Sequence, residues 1–434
     1  MIKVLFEAPV LTQSGYGEHA RLTFRALETV EGMEIYTNPL NWGATSWSKS
    51  FSPDLSSRID ASINRFVQDQ EIHKRRKEKP RYDVQVHVGI LNEFEKKAEY
   101  SVCVTAGIET DRVSLRWIEK TWSGLDRLVV PSEHSKKGFV QSQYEVKHQN
   151  YDRPVTVFKN PETAVNVVPY PFKDVGVSHI DLDISTKFNF LSVALMGPRK
   201  NIENMVKWFI EEFHDEDVGL ILKTCMAKSS TADKHNTVQH LKSITDKYSD
   251  RKCKVYLVHG DLTEEEIHSL YVREDIHAYI NLAHGEGFGL PIFEAAYSGM
   301  PIIATDWSGH LDFLSASYKE GNKTKNKKLF AKVDYDLQTV PKNVLWKDII
   351  VEGSHWANPK KSSYKKQIRK VFQDYGMYKK WASVLKNNIV ENYTEEVILK
   401  KMREAMFGEG FSNKVVSIED KNWQEENKKI TRVV

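Results

Sequence analysis

Short apolar runs alternating with amphipathic stretches constrain this chain more than any other feature of its sequence. In the second half, Phe190–Leu195, Val218–Leu222, Val255–Val258, His277–Leu282 and Pro301–Thr305 each have the length of a buried strand. After the first of these, Ile202, Met205, Val206, Phe209, Ile210 and Phe213 repeat at the spacing of one helix face. Thr263 and Glu266 form a capping box that opens a further helix. Strands with little polar alternation are buried on both faces, which is the condition of a parallel sheet covered by helices. The first half follows the same logic, with strand-like runs at Ile2–Phe6, Val84–Val88, Val102–Ala106 and Leu128–Val130. A helix lined by Ala20, Phe24 and Leu27 begins just after Gly15-Tyr16-Gly17. The expected fold class is α/β, with a Rossmann-like sheet in each half.

A chain of 434 residues exceeds what one core holds, so two domains are expected. Prolines at 169 and 171 interrupt the pattern, and a polar stretch follows through Thr186, which places the boundary there. Beyond about residue 340 the sheet pattern fades into helical sequence, including Ser363–Val371 and Thr394–Met406, and 408–434 reads as polar and loosely ordered. No run of about 18 apolar residues marks a membrane span, and the N-terminus enters a strand pattern without the shape of a signal peptide. Cys103, Cys225 and Cys253 lack paired or metal-ligand spacing, which suits a reducing cytoplasm. A net charge of +3 announces no global field for nucleic acid or membrane. Two basic runs remain, at 73–81 and 319–328. Each is either a solvated helix end or loop, or a surface for a phosphate-rich partner.

The stretch Gly285-Glu286-Gly287-Phe288-Gly289-Leu290-Pro291-Ile292-Phe293-Glu294 carries the chemistry. The apolar run before it, Pro291 at a first helical turn and Gly299 at a helix stop make it a strand, a turn and a helix. A helix start presents free N–H groups and a positive dipole end to an anion. Two carboxylates beside it can accept hydrogen bonds from hydroxyls. Phosphate plus polyol points to a nucleotide-sugar.

This segment resembles the Glu-x7-Glu motif of retaining glycosyltransferases of the two-domain GT-B architecture, family 4 in particular. The resemblance covers roughly residues 1–30 and 100–315, most specifically 285–294. It implies two Rossmann-like domains facing a central cleft: residues 1–172 on the acceptor side, with the last helices, about 376–434, crossing back onto it, and residues 186–375 as the donor domain. It further implies transfer of a hexosyl or pentosyl group from a nucleoside-diphosphate sugar to an acceptor hydroxyl with retention. The leaving diphosphate then helps to deprotonate the acceptor.

By this resemblance Glu294 accepts hydrogen bonds from the ribose, and Glu286 stands beside the transferred sugar. The backbone of Gly287, Phe288 and Gly289, leading into Leu290, faces sugar or phosphate, although Phe288 suits a core equally. Arg199-Lys200-Asn201 resembles the family's Arg-Lys-Asn element, with Lys200 on the diphosphate. Relatives also carry an arginine near the position of Leu195 or Met196, which this chain lacks, so Arg199 is its substitute. Cations at a helix start oppose the dipole unless an anion is present, which favours a functional reading. His259-Gly260-Asp261-Leu262 resembles the segment that cradles the base through main chain, and that contact style leaves UDP and GDP alike open. Gly15-Tyr16-Gly17, followed by Glu18 and His19, resembles the family's Gly-Tyr-Gly loop. Glu109 and Asp111 occupy the neighbourhood of a His-Asp pair in relatives. With His19 they are the acceptor-side candidates.

Asp181-Leu182-Asp183 and Asp334-Tyr335-Asp336 are read as solvated carboxylates, so neither a metal nor another cofactor is expected beside the nucleotide-sugar co-substrate. The acceptor is a glycan or, alternatively, hydroxymethylcytosine in DNA, as in phage-type modification. For DNA a flipped base must enter the cleft, and the basic runs should then border it. A nucleotide-sugar epimerase or a sugar-binding module are rivals from other classes. The expected setting is the cytoplasm, or that of a host if the chain comes from a phage.

Overall fold

Every pairing in the two main sheets is parallel. In the first, β1 (Ile2–Ala8), β2 (Met33–Pro39), β3 (Val84–Val88), β4 (Tyr100–Val104), β5 (Arg127–Val130) and β8 (Val165–Val167) stand in the order β2-β1-β3-β4-β5-β8. The intervening β6 (Tyr144–Val146) and β7 (Val155–Val157) form a small hairpin. In the second, β9 (Phe188–Val193), β10 (Val218–Lys223), β11 (Lys254–Val258), β12 (Ala278–Asn281), β13 (Ile302–Thr305) and β16 (Ala331–Val333) stand in the order β11-β10-β9-β12-β13-β16. Two antiparallel hairpins extend this half, β14 (Ser315–Glu320) with β15 (Lys323–Lys328) and β17 (Tyr335–Thr339) with β18 (His355–Pro359). The computed structural model describes residues 1–43, 45, 47, 51–146, 155–157, 165–320 and 323–408.

Helices cover the sheet faces. The first half holds α1 (Gly15–Glu28), α2 (Pro53–Arg76), α3 (Leu115–Gly124) and α4 (Glu133–Gln141). The second holds α5 (Ile202–Phe213), α6 (Thr231–Thr245), α7 (Glu264–Val272), α8 (Leu290–Tyr297) and α9 (Lys361–Gln373). All six apolar positions read from the sequence of α5 are buried, packed with Phe190, Leu220, Leu222, Ile280 and Ile303 of the second sheet. Each such side chain contributes roughly 1.5–3 kcal/mol of burial. Thr263 and Glu266 make both bonds of the expected capping box. Of the last two helices, α10 (Tyr375–Asn392) packs on α8, and α11 (Glu395–Phe407) packs on α1 and β5. Arg25 pairs with Glu395 at 2.6 Å across that second contact.

Three local expectations shift. Strand β2 and the 24-residue helix α2 occupy sequence in which no element was read. Helix α1 begins at Gly15 rather than after Gly17, because the Ser14 side chain caps it by accepting from the Gly17 N–H at 3.0 Å. The sequence after residue 315 contains strands before it becomes helical, since β14, β15, β17 and β18 pair with each other and need no parallel partner. The stretch 409–434 lies outside the described residues, as do 321 and 322 within the second basic run. Among the described residues no helix is long and apolar enough to cross a membrane.

The carboxyl ends of both sheets meet. A Cβ on Gly15, after β1, would lie 3.8 Å from Leu290, after β12, and the Gly287 carbonyl accepts from Ser132, after β5, at 2.5 Å. A cleft at strand carboxyl ends is where open α/β sheets bind ligands.

Candidate functional site

The motif is held by its glycines against protein backbone. A Cβ on Gly285 would fall 2.0 Å from the Glu109 carbonyl oxygen, and one on Gly287 would fall 2.6 Å from that of Ala106. Only glycine lets this turn press so closely on the first half. Gly289 takes φ +90 and leaves the start of α8 without a capping side chain. The Phe288 ring is 4% exposed and packs on Tyr170, Phe293 and Phe313, so its side chain belongs to the core. Glu286 is anchored at both backbone ends: its N–H donates to Ser308 Oγ at 2.9 Å, and its carbonyl accepts from the Gly309 N–H at 2.9 Å. Ser308 itself sits at φ 90, a strained conformation for a residue with a side chain.

Two cations converge on that glutamate. Arg199 and Lys200 stand on a 3-10 turn, Pro198–Lys200, after β9, and Asn201 in the left-handed region links the turn to α5. Lys200 Nζ lies 2.5 Å from Glu286 Oε1, and Arg199 Nη1 lies 3.0 Å from Oε2. Asn281, at the end of β12, donates to Oε1 at 3.3 Å. Burial would raise the Glu286 carboxyl, but the charges of Lys200 and Arg199 outweigh it and hold it at about 2. For Lys200, burial and the neighbouring Arg199 charge outweigh Glu286, so its ammonium is held less firmly than usual. Arg199 also reaches Glu109 of the first half at 3.1 Å. The anions that make these cations tolerable at a helix start are thus Glu286 and Glu109.

Glu294 lies on α8 in a pocket of about 140 Å³ together with Leu262, Thr263, Glu264 and Tyr271 of the second half, Glu18 of the first and Lys173 between them. Its Oε2 accepts from the Tyr271 hydroxyl at 2.9 Å. Burial pushes its carboxyl up to about 7 against the pull of Lys173 and Tyr271. Leu262 therefore shares the pocket with Glu294. Gly260 takes φ +122, and its carbonyl accepts from Lys223 at 2.7 Å.

Gly15, Tyr16 and Gly17 form the first turn of α1, facing the start of α8. The Tyr16 hydroxyl bonds Thr105 at 2.9 Å, and its ring lies 4.1 Å from that of Trp42. His19 is fully buried, its ring 5.0 Å from that of Tyr170, and burial holds its imidazole at about 3. Neither of its ring nitrogens has a hydrogen-bond partner among the described residues. Asp111 accepts from the His355 N–H at 2.7 Å and lies 3.0 Å from its Nδ1. Both acceptor-side carboxylates, Glu109 and Asp111, are therefore engaged by the second half.

Sequence reasoning missed Lys173, Tyr271, Asn281 and Ser308. Asn281 ends an apolar strand run at its ligand-side end, a usable signal; the other three reach the site only through tertiary packing. A larger surface groove of about 520 Å³, lined by Leu115, Arg116, Glu119, Lys120 and Asp348, contains none of the candidate residues. Among the described residues no group of three His, Cys, Asp or Glu side chains could hold a metal ion.

Residues 181–332 match the family described as glycosyl transferases group 1. No curated protein matches the chain by sequence. Among solved structures, Anabaena HepE in complex with UDP and glucose is similar at 11% identity and a TM-score of 0.59, over 94% of this chain and 99% of that one. Sucrose-phosphate synthase from Thermosynechococcus elongatus is similar at 12% identity and 0.56, over 93% and 98%. The lipopolysaccharide outer core galactosyltransferase WaaB is similar at 12% identity and 0.52, over 94% and 99%. The fold is GT-B, two parallel-sheet α/β domains with the cleft between them.

Proposed function

We propose that this chain is a retaining, family 4-like glycosyltransferase that moves a sugar from a nucleoside-diphosphate sugar to an acceptor hydroxyl. The match of 181–332 to glycosyl transferases group 1 supports the reaction class. One observation carries the site. A single strand, turn and helix holds Glu286 under two cations and Glu294 in an adjoining pocket, both at the cleft. Lys200, Arg199 and the uncapped start of α8 are the groups for the diphosphate. Transfer places negative charge on that leaving group, and preorganised cations favour the charged state over the ground state. Glu294 accepts from the ribose hydroxyls, and Leu262 and Gly260 flank the base. Glu286 orders the cations and stands beside the sugar. As the bond from the anomeric carbon to the diphosphate breaks, the acceptor oxygen bonds to that carbon on the same face and gives its proton to a diphosphate oxygen, so configuration is retained. The division into residues 1–172 with 376–434, and 186–375, goes with this reading, as does a cytoplasmic setting.

A glycan acceptor is favoured over DNA by the position of the first basic run. Lys74, Arg75 and Arg76 end α2, where His73 bonds Asp69, and Asp69 pairs with Lys3 near the start of β1. That is the end of the first sheet opposite the cleft, and the helix dipole favours cations there. The epimerase alternative would consume donor without acceptor. HepE with UDP-glucose makes UDP-glucose the first donor to try. Incubation with UDP- and GDP-sugars, glycans and hydroxymethylcytosine DNA, read by mass spectrometry and by NMR of the product anomer, tests the proposal. Transfer to a glycan with retained configuration is expected. Inversion would overturn the stereochemistry, and binding of neither UDP nor GDP would overturn the whole reading.

A further inference from the structure

The segment between the two sheets contributes more than a connection. Lys173 Nζ lies 2.9 Å from Glu18 Oε2 in the first turn of α1 and 2.6 Å from Glu264 Oε1 at the start of α7. One ammonium thus ties the first half to the second. All three side chains line the pocket that holds Glu294, and among the described residues lining it Lys173 is the only Lys or Arg. Three carboxylates, Glu18, Glu264 and Glu294, therefore gather around one cation. Glu18 shares a second cation, Arg21, but that residue faces the Val10 and Thr12 carbonyls away from the pocket.

We infer that Lys173 is a positioning residue for the nucleoside of the donor: it holds α1 to α7 across the pocket and supplies the positive charge that lets Glu294 accept hydrogen bonds from hydroxyls. The inference rests on the donor-binding reading of Glu294. Its physics is independent of the diphosphate. Glu294 is a half-buried carboxylate whose ionised form is disfavoured by desolvation and by the charges of Glu18 and Glu264, and favoured by Lys173 and the Tyr271 hydroxyl. A protonated carboxyl has one O–H donor and a reduced acceptor capacity, so it accepts less well from ligand hydroxyls. The other titratable groups lining the pocket are His268 and Tyr297. His268 is held neutral by burial and the nearby Lys386, and Tyr297 is pushed well above its usual value by burial. Neither supplies the missing charge near neutral pH.

Lys173→Met keeps the length of the stem and removes the charge, and Lys173→Arg keeps the charge. Calorimetric titration with UDP and GDP, and with uridine and guanosine, is run from pH 6 to 9. For whichever base wild type binds, Lys173→Met should weaken nucleoside and nucleoside diphosphate alike by about tenfold or more at pH 7. It should also move the pH at which affinity falls upward, while Lys173→Arg stays within about threefold of wild type. A clasp with only a structural role would lower the melting temperature and leave affinity and its pH midpoint unchanged, which would overturn the inference. Loss of diphosphate affinity with intact nucleoside affinity would overturn it too, by moving Lys173 to the phosphates. If Lys173→Met does not fold, a tenfold loss in Lys173→Arg decides against it. Wild type that binds neither nucleotide would overturn the donor reading as well, whereas normal wild-type binding with an unaffected Lys173→Met overturns the Lys173 assignment alone.

Discussion

Two cations on one buried carboxylate are a balanced arrangement, and the balance predicts what each substitution does. Lys200→Ala leaves Arg199 3.0 Å from Glu286, so the carboxylate stays paired and the chain folds. Turnover should nevertheless fall by about 100-fold, because a cation aimed at developing charge acts mainly in the transition state. Kinetics at saturating donor checks this; a loss of donor affinity with intact turnover would assign Lys200 to ground-state binding instead. Glu294→Ala should cost roughly 1.5–3 kcal/mol of nucleoside-diphosphate affinity, measured by calorimetry on the folded variant. In wild type that affinity should decline as pH falls through about 7, where burial has placed the Glu294 carboxyl. Fold stability moves the opposite way at this residue. A carboxyl raised above its unfolded value of 4.5 is destabilising while ionised, and that penalty is relieved as pH falls through about 7. These residues were legible because each lies within a short local motif. Their mutual pairing was not, since Arg199 and Glu286 are 87 positions apart.

At the scale of elements, period and punctuation were enough where the element is long or its caps are explicit. Helix α5 showed all its buried positions in advance, and α7 showed its capping box. Helix α2 escaped notice because only Leu55, Ile59, Ser62 and Asp69 of its 24 residues are buried, too narrow a stripe to stand out in a charged sequence. The resemblance turns the backbone of Gly287 and Gly289 toward sugar or phosphate, whereas the Cβ positions of Gly285 and Gly287 are closed by carbonyls of the first half. Gly285→Ala should therefore destabilise the protein by about 1–3 kcal/mol, as overpacking does, and should reduce turnover by displacing the turn that carries Glu286. Denaturant unfolding with parallel kinetics tests this. A variant as stable and active as wild type would mean that the two halves do not close to this distance in solution.

For the whole molecule, the position of the charge runs decides more than their composition. Neutralising Lys74, Arg75, Arg76 and Lys77 should leave transfer to a glycan within about twofold, because these side chains are exposed at the end of the first sheet away from the cleft. If the acceptor were DNA, the same change would weaken binding and flatten its salt dependence by a log–log slope of about 0.9 per lost phosphate contact. A salt titration of wild type and the quadruple variant separates the two. The second run, near 319–328, lies on the β14–β15 hairpin, where Lys327 packs over Tyr318 and Trp381 and Lys328 pairs with Asp306.

The sequence by itself determined the alternation of strands and helices, the two sheets, and the strand, turn and helix that carry Glu286 and Glu294, because these follow from periodicity and turn chemistry within a few residues. Only the tertiary structure decided which groups face one another across the cleft. Glu109 on Arg199, Asp111 on His355, and Lys173 between Glu18 and Glu264 join positions 90 to 244 residues apart. Local pattern carries no information about such pairs: they depend on how one sheet docks on the other, and that is fixed by packing summed over the whole interface.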